Sequence, residues 1–231
     1  MAHAHNSLPQ VVASLGLETE VNPVAARFEV TIDRQRVDPI HAKPQLYTWY
    51  FYRNSQQIAL LKENVDEVWY RDSSQRLSFE RVFHQDERVV DYSTGELATL
   101  NIHVDWAALS RFVDPIELSQ LNLVSRNGTG KTQCLHLRGK IGKERIEVDW
   151  LPALQLPQKI TRQMHGASSV RMRLVAAYSN PMLQWPVVGA RSVQYLHLDA
   201  ADFGDMDYDP VVKKSEALDI RLGWRASHHQ D

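Results

Sequence analysis

Apolar and polar residues alternate along most of the chain, which is typical of β-strands that bury one face. In ARFEVTIDRQRV, residues 26–37, Phe28, Val30 and Ile32 are separated by single polar residues. Four further stretches with this character follow, separated by polar turns: QLYTWYFYRN, QIALLKEN, DEVWYRD and RLSFERVFHQDERVVDYS. In the last of them the alternation is imperfect, because Arg81 shares the parity of Leu77 and Phe79.

Helical signals interrupt these strands at a few places. Asp105 can cap a helix that carries Trp106 and Leu109 on one face. The pair Asp114-Pro115 either ends that helix or begins a second one. A further helix is predicted in SLPQVVASLGL, which Gly16 ends, and another begins at Pro210.

The pattern predicts a mainly β (α+β) fold, a curved antiparallel sheet or half barrel capped by two or three short helices. We expect one domain over residues 1–231, since no linker or repeat divides the chain. Residues 1–9 are expected to be disordered. Residues 180–231 are expected to form a loop-rich extension packed on the sheet, with a last strand in DIRLGW, residues 219–224.

The stretch SRNGTGKTQ, residues 125–133, contains the Gly-Lys-Thr of a phosphate-binding loop. The full motif needs a glycine where Ser125 stands, and a helix afterwards. The residues that follow Thr132 alternate as a strand does, and Asn127-Gly128 is a hairpin signal. We therefore interpret this stretch as a turn between two strands.

Composition and charge narrow the possible partners. The formal net charge of the 231 residues is -2, so no overall field attracts nucleic acid. No apolar run is long enough to span a membrane. The single cysteine, Cys134, lies in a strand pattern and is expected to be a small buried side chain. No cofactor is predicted.

Two segments resemble the periplasmic lipoprotein-carrier superfamily, the LolA/LolB-like fold. VDEVWYRDSSQRLSFER, residues 65–81, is similar to a stretch in which one strand of the family turns into the next. WLPALQLPQKITRQMHG, residues 150–166, resembles the Leu-x-Pro element that precedes another strand. The resemblance covers about residues 10 to 180 and implies a half barrel whose apolar concave face is covered by helices.

The resemblance implies that the chain binds an apolar small molecule, a lipid or an acyl chain, or a lipidated or other protein partner. The candidate ligand-binding residues are Trp49, Phe51, Trp69, Phe79 and Phe83, each of which is also a plausible core residue. Two alternatives remain. One is an enzyme of unknown reaction that uses the same cavity, and the other is an adapter that docks through its C-terminal tail.

Candidate metal ligands and a possible export signal are the remaining features of the sequence. From Asp205 the spacing of carboxylates mimics a calcium loop, but its glycine position is Pro210, so Asp209 is better explained as a helix cap. The histidine pairs at both ends lie in expected disordered tails, and no metal site is predicted. Ala-His-Ala near the start resembles the end of a cleaved signal peptide. We therefore expect a periplasmic or secreted protein.

Overall fold

The computed structural model describes residues 15–17, 21–33, 44–164 and 169–224. Within them it contains twelve strands and four α-helices. The strands are β1 (Val24–Asp33), β2 (Gln45–Arg53), β3 (Gln57–Leu61), β4 (Val65–Arg71), β5 (Leu77–Phe83), β6 (Arg88–Tyr92), β7 (Asn122–Asn127), β8 (Cys134–Ile141), β9 (Glu144–Leu151), β10 (Leu156–Met164), β11 (Ser169–Tyr178) and β12 (Leu196–Asp199). The helices are α1 (Thr94–Thr99), α2 (Trp106–Arg111), α3 (Pro115–Gln120) and α4 (Pro210–Arg221). The predicted mainly β fold, an antiparallel sheet with short helices, is confirmed.

The chain groups into two compact units. Unit 1 comprises Met1–Trp49 and Asp105–Pro181, and unit 2 comprises Tyr50–Val104 and Met182–Asp231. Each unit is therefore assembled from two separate stretches of sequence. The expectation of one domain over the whole chain stays a prediction, and the expected disorder of residues 1–9 lies outside the described residues.

Unit 1 contains an antiparallel sheet in the order β1, β11, β10, β9, β8, β7. Its core consists of the inward residues of these strands, with Trp150, Leu135 and Ile146 almost completely buried. Residues 15–17 are tied to this core through three successive backbone carbonyls. Trp150 Nε1 donates to Leu15 at 2.8 Å, Gln155 Nε2 to Gly16 at 2.7 Å, and an Arg111 Nη2 to Leu17 at 3.0 Å.

The stretch with the Gly-Lys-Thr sequence is a hairpin connection, as predicted. β7 and β8 pair antiparallel up to Asn127 and Cys134, and a short 3-10 helix, Gly130–Thr132, joins them. Gly128 has a φ of +69°, a conformation that glycine adopts without cost. A strand, not a helix, follows Thr132, so no helix N-terminus is available here for a phosphate.

Unit 2 contains a sheet in the order β2, β3, β4, β5, β6, β12. The pairs are antiparallel except β12, which runs parallel to β6 and comes from the C-terminal part of the chain. A 3-10 helix, Ala200–Asp205, connects β12 towards α4. Residues after 182 thus supply both an edge strand and a helix to a sheet whose other strands lie between residues 45 and 92.

Side-chain caps define where the helices begin. Asp105, Asp114 and Asp209 each accept a hydrogen bond from the second residue of α2, α3 and α4 respectively. The predicted caps Asp105 and Asp209 are thus confirmed, and of the two alternatives for Asp114-Pro115 the start of a second helix is the one observed. The sequence analysis missed α1, which begins with a capping box between Ser93 and Glu96. It was wrong about a last strand in DIRLGW, because α4 continues to Arg221.

We expect Asp209→Ala to lower the free energy of unfolding by about 1 kcal/mol, because Asp209 Oδ1 caps α4 at Val211 N, 2.6 Å away. Urea denaturation followed by circular dichroism measures this. Asp207→Ala is the matched control, since this aspartate is exposed and precedes the cap. Equal losses in both variants would contradict the assignment of the cap.

Candidate functional site

One face of the unit 2 sheet, which we call the aromatic face, carries large rings on neighbouring strands. The register places Ile58 of β3 opposite Trp69 of β4, Trp69 opposite Phe79 of β5, and Phe79 opposite Tyr92 of β6. Side chains of residues paired in this way point to the same side of a sheet. Arg53 of β2 lies opposite Ile58 and so belongs to this face, as do Phe51 two residues before it, Arg81 and Phe83 further along β5, and Val90 of β6.

The rings of the aromatic face contact one another directly. The ring centroids of Trp69 and Phe79 lie 4.5 Å apart in a stacked arrangement. The indole of Trp224, beyond the end of α4, meets Trp69, Phe79 and Tyr92 edge-on, at centroid distances of 5.8, 5.4 and 6.2 Å. Edge-to-face contacts of this kind add stabilisation beyond burial alone. Trp224 therefore occupies space directly on the aromatic face.

The helix α4 covers the aromatic face. Its buried residues are Val211, Val212, Ser215 and Asp219, which recur at intervals of three and four and so form one stripe. Ser215 and Asp219 both contact Arg81, in the middle of β5. The cover therefore has apolar contacts at its N-terminal end and a polar cluster at its centre.

Arg81 and Asp219 form an ion pair without any exposure to solvent. Nη1 of Arg81 donates to Asp219 Oδ1 at 2.8 Å, and both side chains are 0% exposed. The same nitrogen also lies 2.8 Å from Ser215 Oγ and 3.2 Å from Tyr92 Oη. Tyr92 in turn donates to Asp219 Oδ2 at 2.9 Å. These four side chains, Arg81, Tyr92, Ser215 and Asp219, are called the buried polar cluster below.

The guanidinium of Arg81 is only partly satisfied. Nε and Nη2 have no hydrogen-bond acceptor among the described residues. Its Cζ lies 5.2 Å from the centroid of Phe79, 5.5 Å from Trp224 and 5.7 Å from Tyr92. Cation–π attraction to these rings compensates for part of the missing hydrogen bonding. An unpaired buried donor still costs about 1–3 kcal/mol.

The phenol of Tyr92 is held in its protonated form. Burial raises its pKa above the ordinary value, the Arg81 charge opposes this, and the Asp219 carboxylate adds to it. A tyrosine in this state donates a hydrogen bond and does not serve as a base near neutral pH. Within the buried polar cluster, its role is to hold Asp219.

The five predicted ligand-binding residues fall into two groups. Phe51, Trp69, Phe79 and Phe83 belong to the aromatic face and are buried. Trp49 belongs to unit 1, is half-buried, and its ring lies 6.5 Å from that of Phe112. Whether any of the five contacts a ligand stays a prediction.

The opposite face of the unit 2 sheet carries a buried histidine. His84 Nε2 lies 2.8 Å from Asp66 Oδ2, and its Nδ1 lies 3.4 Å from Tyr195 Oη. Burial raises the pKa of Asp66, while the charge of His84 lowers it. The backbone N–H of Lys62 also donates to Asp66. This arrangement fixes residue 195 of the C-terminal segment to the sheet.

A second polar group on that face contains Glu80, which lies directly opposite Asp91 across β5 and β6. Tyr70 Oη donates to Glu80 Oε2 at 3.0 Å, and His197 Nδ1 lies 2.7 Å from Asp91 Oδ2. Burial raises the pKa of Glu80, the hydrogen bond from Tyr70 lowers it, and Asp91 raises it further.

A metal site, a reactive thiol and a membrane span are the other possibilities to be compared with the part of the chain that the structure describes. No three His, Cys, Asp or Glu side chains there are grouped as metal ligands would be. The Cys134 Sγ lies 3.5 Å from Gln158 Oε1, and burial raises the pKa of its thiol. None of the described helices has both the length and the apolar character needed to cross a membrane. The histidines near both termini lie outside the described residues.

Sequence comparisons find no relatives, and structural comparisons find distant ones. No family model and no curated protein matches the chain. A LolA superfamily protein from Nitrosomonas europaea matches with a TM-score of 0.31 and 8% identity, over 77% of this chain and 95% of the other. A putative outer membrane lipoprotein-sorting protein domain from Vibrio parahaemolyticus matches with 0.33 and 8%, over 80% and 94%.

Two structures of PNGF-II match with TM-scores of 0.35 and 0.37 at 14% identity, over 80% of this chain. The chain spans 33% of the length of these PNGF-II structures. At TM-scores of this size the likeness gives no information on ligands or reactions, which have to be judged from the residues of this chain.

Arg81 and Asp219 are not among the residues predicted from the sequence to belong to the site. The signal for Arg81 was present, since a charged residue at the parity of Leu77 and Phe79 interrupts an apolar face. A charge in that position needs a partner. The partner could not be identified from local pattern, because it lies 138 residues later.

We expect Arg81→Met to cost roughly 3–5 kcal/mol of unfolding free energy, because it leaves Asp219 buried without its ion-pair partner. The double variant Arg81→Met/Asp219→Leu is expected to recover most of this loss. Urea denaturation measures both. Arg76→Met is the control, since the Arg76–Asp72 pair is at the surface, where an ion pair contributes little to stability. Equal losses in the single and double variants would show that packing, not charge, dominates.

The raised pKa of Glu80 predicts a pH dependence of stability. The folded protein holds the proton of the Glu80 carboxyl group more tightly than the unfolded chain does. In the unfolded chain the pKa of a glutamate is about 4.3. The free energy of unfolding should therefore fall as the pH rises from that value through the folded pKa, and then level off. Glu80→Gln should make this fall smaller, because Asp66, whose pKa is also raised, still contributes, whereas Glu87→Gln, at an exposed position, should leave it unchanged. Urea midpoints at a series of pH values measure the difference.

Proposed function

We propose that this chain is an exported binding protein without catalytic activity that holds a lipid or acyl chain against the aromatic face. The ligand is either free or attached to a protein partner. The helix α4 is the removable cover of the site, and Phe51, Trp69, Phe79 and Phe83 are its apolar wall. Trp49 extends the same strand, two residues before Phe51.

The observation that supports this proposal is the buried ion pair between the aromatic face and its cover. A permanent core is usually at least as stable with apolar residues in place of a buried ion pair. Here a charged residue with two unpaired donors lies among aromatic rings, directly beneath a helix. An interface with this polar centre separates more easily than an entirely apolar one, because polar groups regain water when it opens.

The energetic scale is compatible with exchange of the cover for a ligand. Each buried CH₂ group of an acyl chain contributes about 0.8 kcal/mol. A chain of about ten such groups therefore offers about 8 kcal/mol, similar to the whole stability of a small domain. The helix α4 has 12 residues, a length at which an isolated helix is marginal in water. Its position thus depends on contacts with the sheet that a ligand can replace.

An adapter role is the second candidate, and one observation favours it. Of the twelve exposed large hydrophobic residues among those described, six fall between residues 182 and 208. They are Met182, Leu183, Val187, Val193, Leu196 and Tyr208. Exposed apolar side chains concentrated in one segment are a common feature of protein interfaces. An adapter would bind its partner through this segment and bind no lipid.

A brominated fatty alcohol distinguishes the two functions, because bromine quenches the fluorescence of tryptophans that it contacts. We expect quenching that saturates, and that is much smaller in Trp69→Phe, whose ring is part of the proposed wall. Trp185→Phe is the matched control, since Trp185 packs against Tyr50 on the opposite face. Hydrogen exchange of the α4 amides should accelerate when the ligand binds. Absence of saturable quenching, or quenching that Trp69→Phe leaves unchanged, would exclude this site.

A further inference from the structure

The edge of the Arg81 guanidinium that lacks partners has a specific shape. Arginine has five N–H donors in a fixed plane. All the polar contacts of Arg81, to Tyr92, Ser215 and Asp219, are made through the single nitrogen Nη1. The two nitrogens left, Nε and Nη2, have no acceptor among the described residues. Because Nη2 lies on the side of the Nε–H bond, these two nitrogens present parallel N–H groups.

Two parallel N–H groups match the two oxygens of a carboxylate or a phosphate. Asp219 does not use this edge. Its Oδ1 accepts from Nη1, and both of its oxygens lie within 3.1 Å of Tyr92 Oη. The pairing inside the protein is thus single-pronged, and the stronger two-pronged geometry is left open in a fully buried arginine.

The surroundings of Arg81 strengthen the hydrogen bonds to any anion that binds at this edge. Arg81 is 0% exposed and its Cζ lies within 5.7 Å of three aromatic ring centroids. Charge-assisted hydrogen bonds in such a medium are stronger than in water. The apolar wall of Trp69, Phe79 and Trp224 begins directly beside the guanidinium. One ligand can therefore place an anionic head on Arg81 and an apolar tail along the rings.

We infer that the ligand of this site is an anionic amphiphile, whose carboxylate or phosphate binds Nε and Nη2 of Arg81. This inference rests on the proposed function, since it names the chemical class of ligand for the same site. A bound anion shares the charge of Arg81 with Asp219, so it weakens the contact that fixes α4. Head binding and release of the cover are thereby coupled.

The test compares four ligands with the same twelve-carbon tail: dodecanoate, dodecyl phosphate, dodecanol and dodecyltrimethylammonium. Dissociation constants are measured by titration calorimetry below the micelle concentration of each ligand. We expect one or both anions to bind at least tenfold more tightly than dodecanol, and the cation to bind least. The carboxylate and phosphate arms identify which head the arginine edge prefers.

Two variants assign the preference to Arg81. Asp219→Asn removes the competing charge, so the ratio of dodecanol to anion dissociation constants should rise above that of the native chain. Arg81→Met/Asp219→Leu, a neutral pair that retains the packing volume, should bring this ratio to about one. The double variant keeps the test valid if Asp219→Asn fails to fold. A ratio unchanged in the double variant would overturn the inference.

Different results would exclude the proposed function and the inference that the ligand is anionic. If none of the four ligands binds, the proposed function itself is excluded. If dodecanol and the anions bind equally well to the native chain, an apolar site exists but Arg81 does not recognise a head, and this inference alone is overturned. Tighter binding of the cation than of dodecanoate has the same consequence.

Discussion

The constraint on which unit 2 depends is the need to neutralise one buried positive charge. Arg81 lies on the aromatic face with no access to solvent, so an anion has to reach it from another part of the chain. Asp219 does so, and it can do so only if the residues around it are helical and lie on the sheet. Tyr92 and Ser215 complete the shell of hydrogen bonds around the pair. The position of α4 follows from these requirements.

The unsatisfied edge of Arg81 separates this cluster from an ordinary structural ion pair. Protein cores rarely leave buried donors without acceptors, and each exception needs a cause, such as strain, a functional role, or a water or ion at the site. The opposite face of the same sheet offers a contrast. There no buried polar atom of the Asp66 or Glu80 side chain lacks a hydrogen-bond partner, and the His84 ring that binds Asp66 also contacts Tyr195 of the C-terminal segment. The two faces therefore differ less in polarity than in how completely their buried polar groups are hydrogen-bonded.

Local sequence patterns predicted the helices and strands well, but they predicted poorly the contacts between residues that are distant in sequence. Alternation identified the strands, and Asp105, Asp114 and Asp209 marked the starts of three helices, because caps and periodicity are properties of neighbouring residues. The aromatic residues of β4 and β5 were correctly placed on strands. The sequence analysis assigned DIRLGW to a strand, since Ile220 and Leu222 are spaced as in a strand. What decided the outcome was the contact of Asp219 with a residue 138 positions earlier, which no local window contains.

The discontinuous arrangement of unit 2 also has a consequence for the order of folding. Strands β3 to β6 are made before residue 93, but Asp219 and Trp224 are made more than a hundred residues later. Until residues 219–224 have been made, a sheet of β3 to β6 has neither its covering helix nor the partner of Arg81. All the strands of unit 1 are complete by residue 178, so its pairings can close first. The aromatic face therefore depends on the last-made part of the described chain for its cover, although its own strands are among the first to be made.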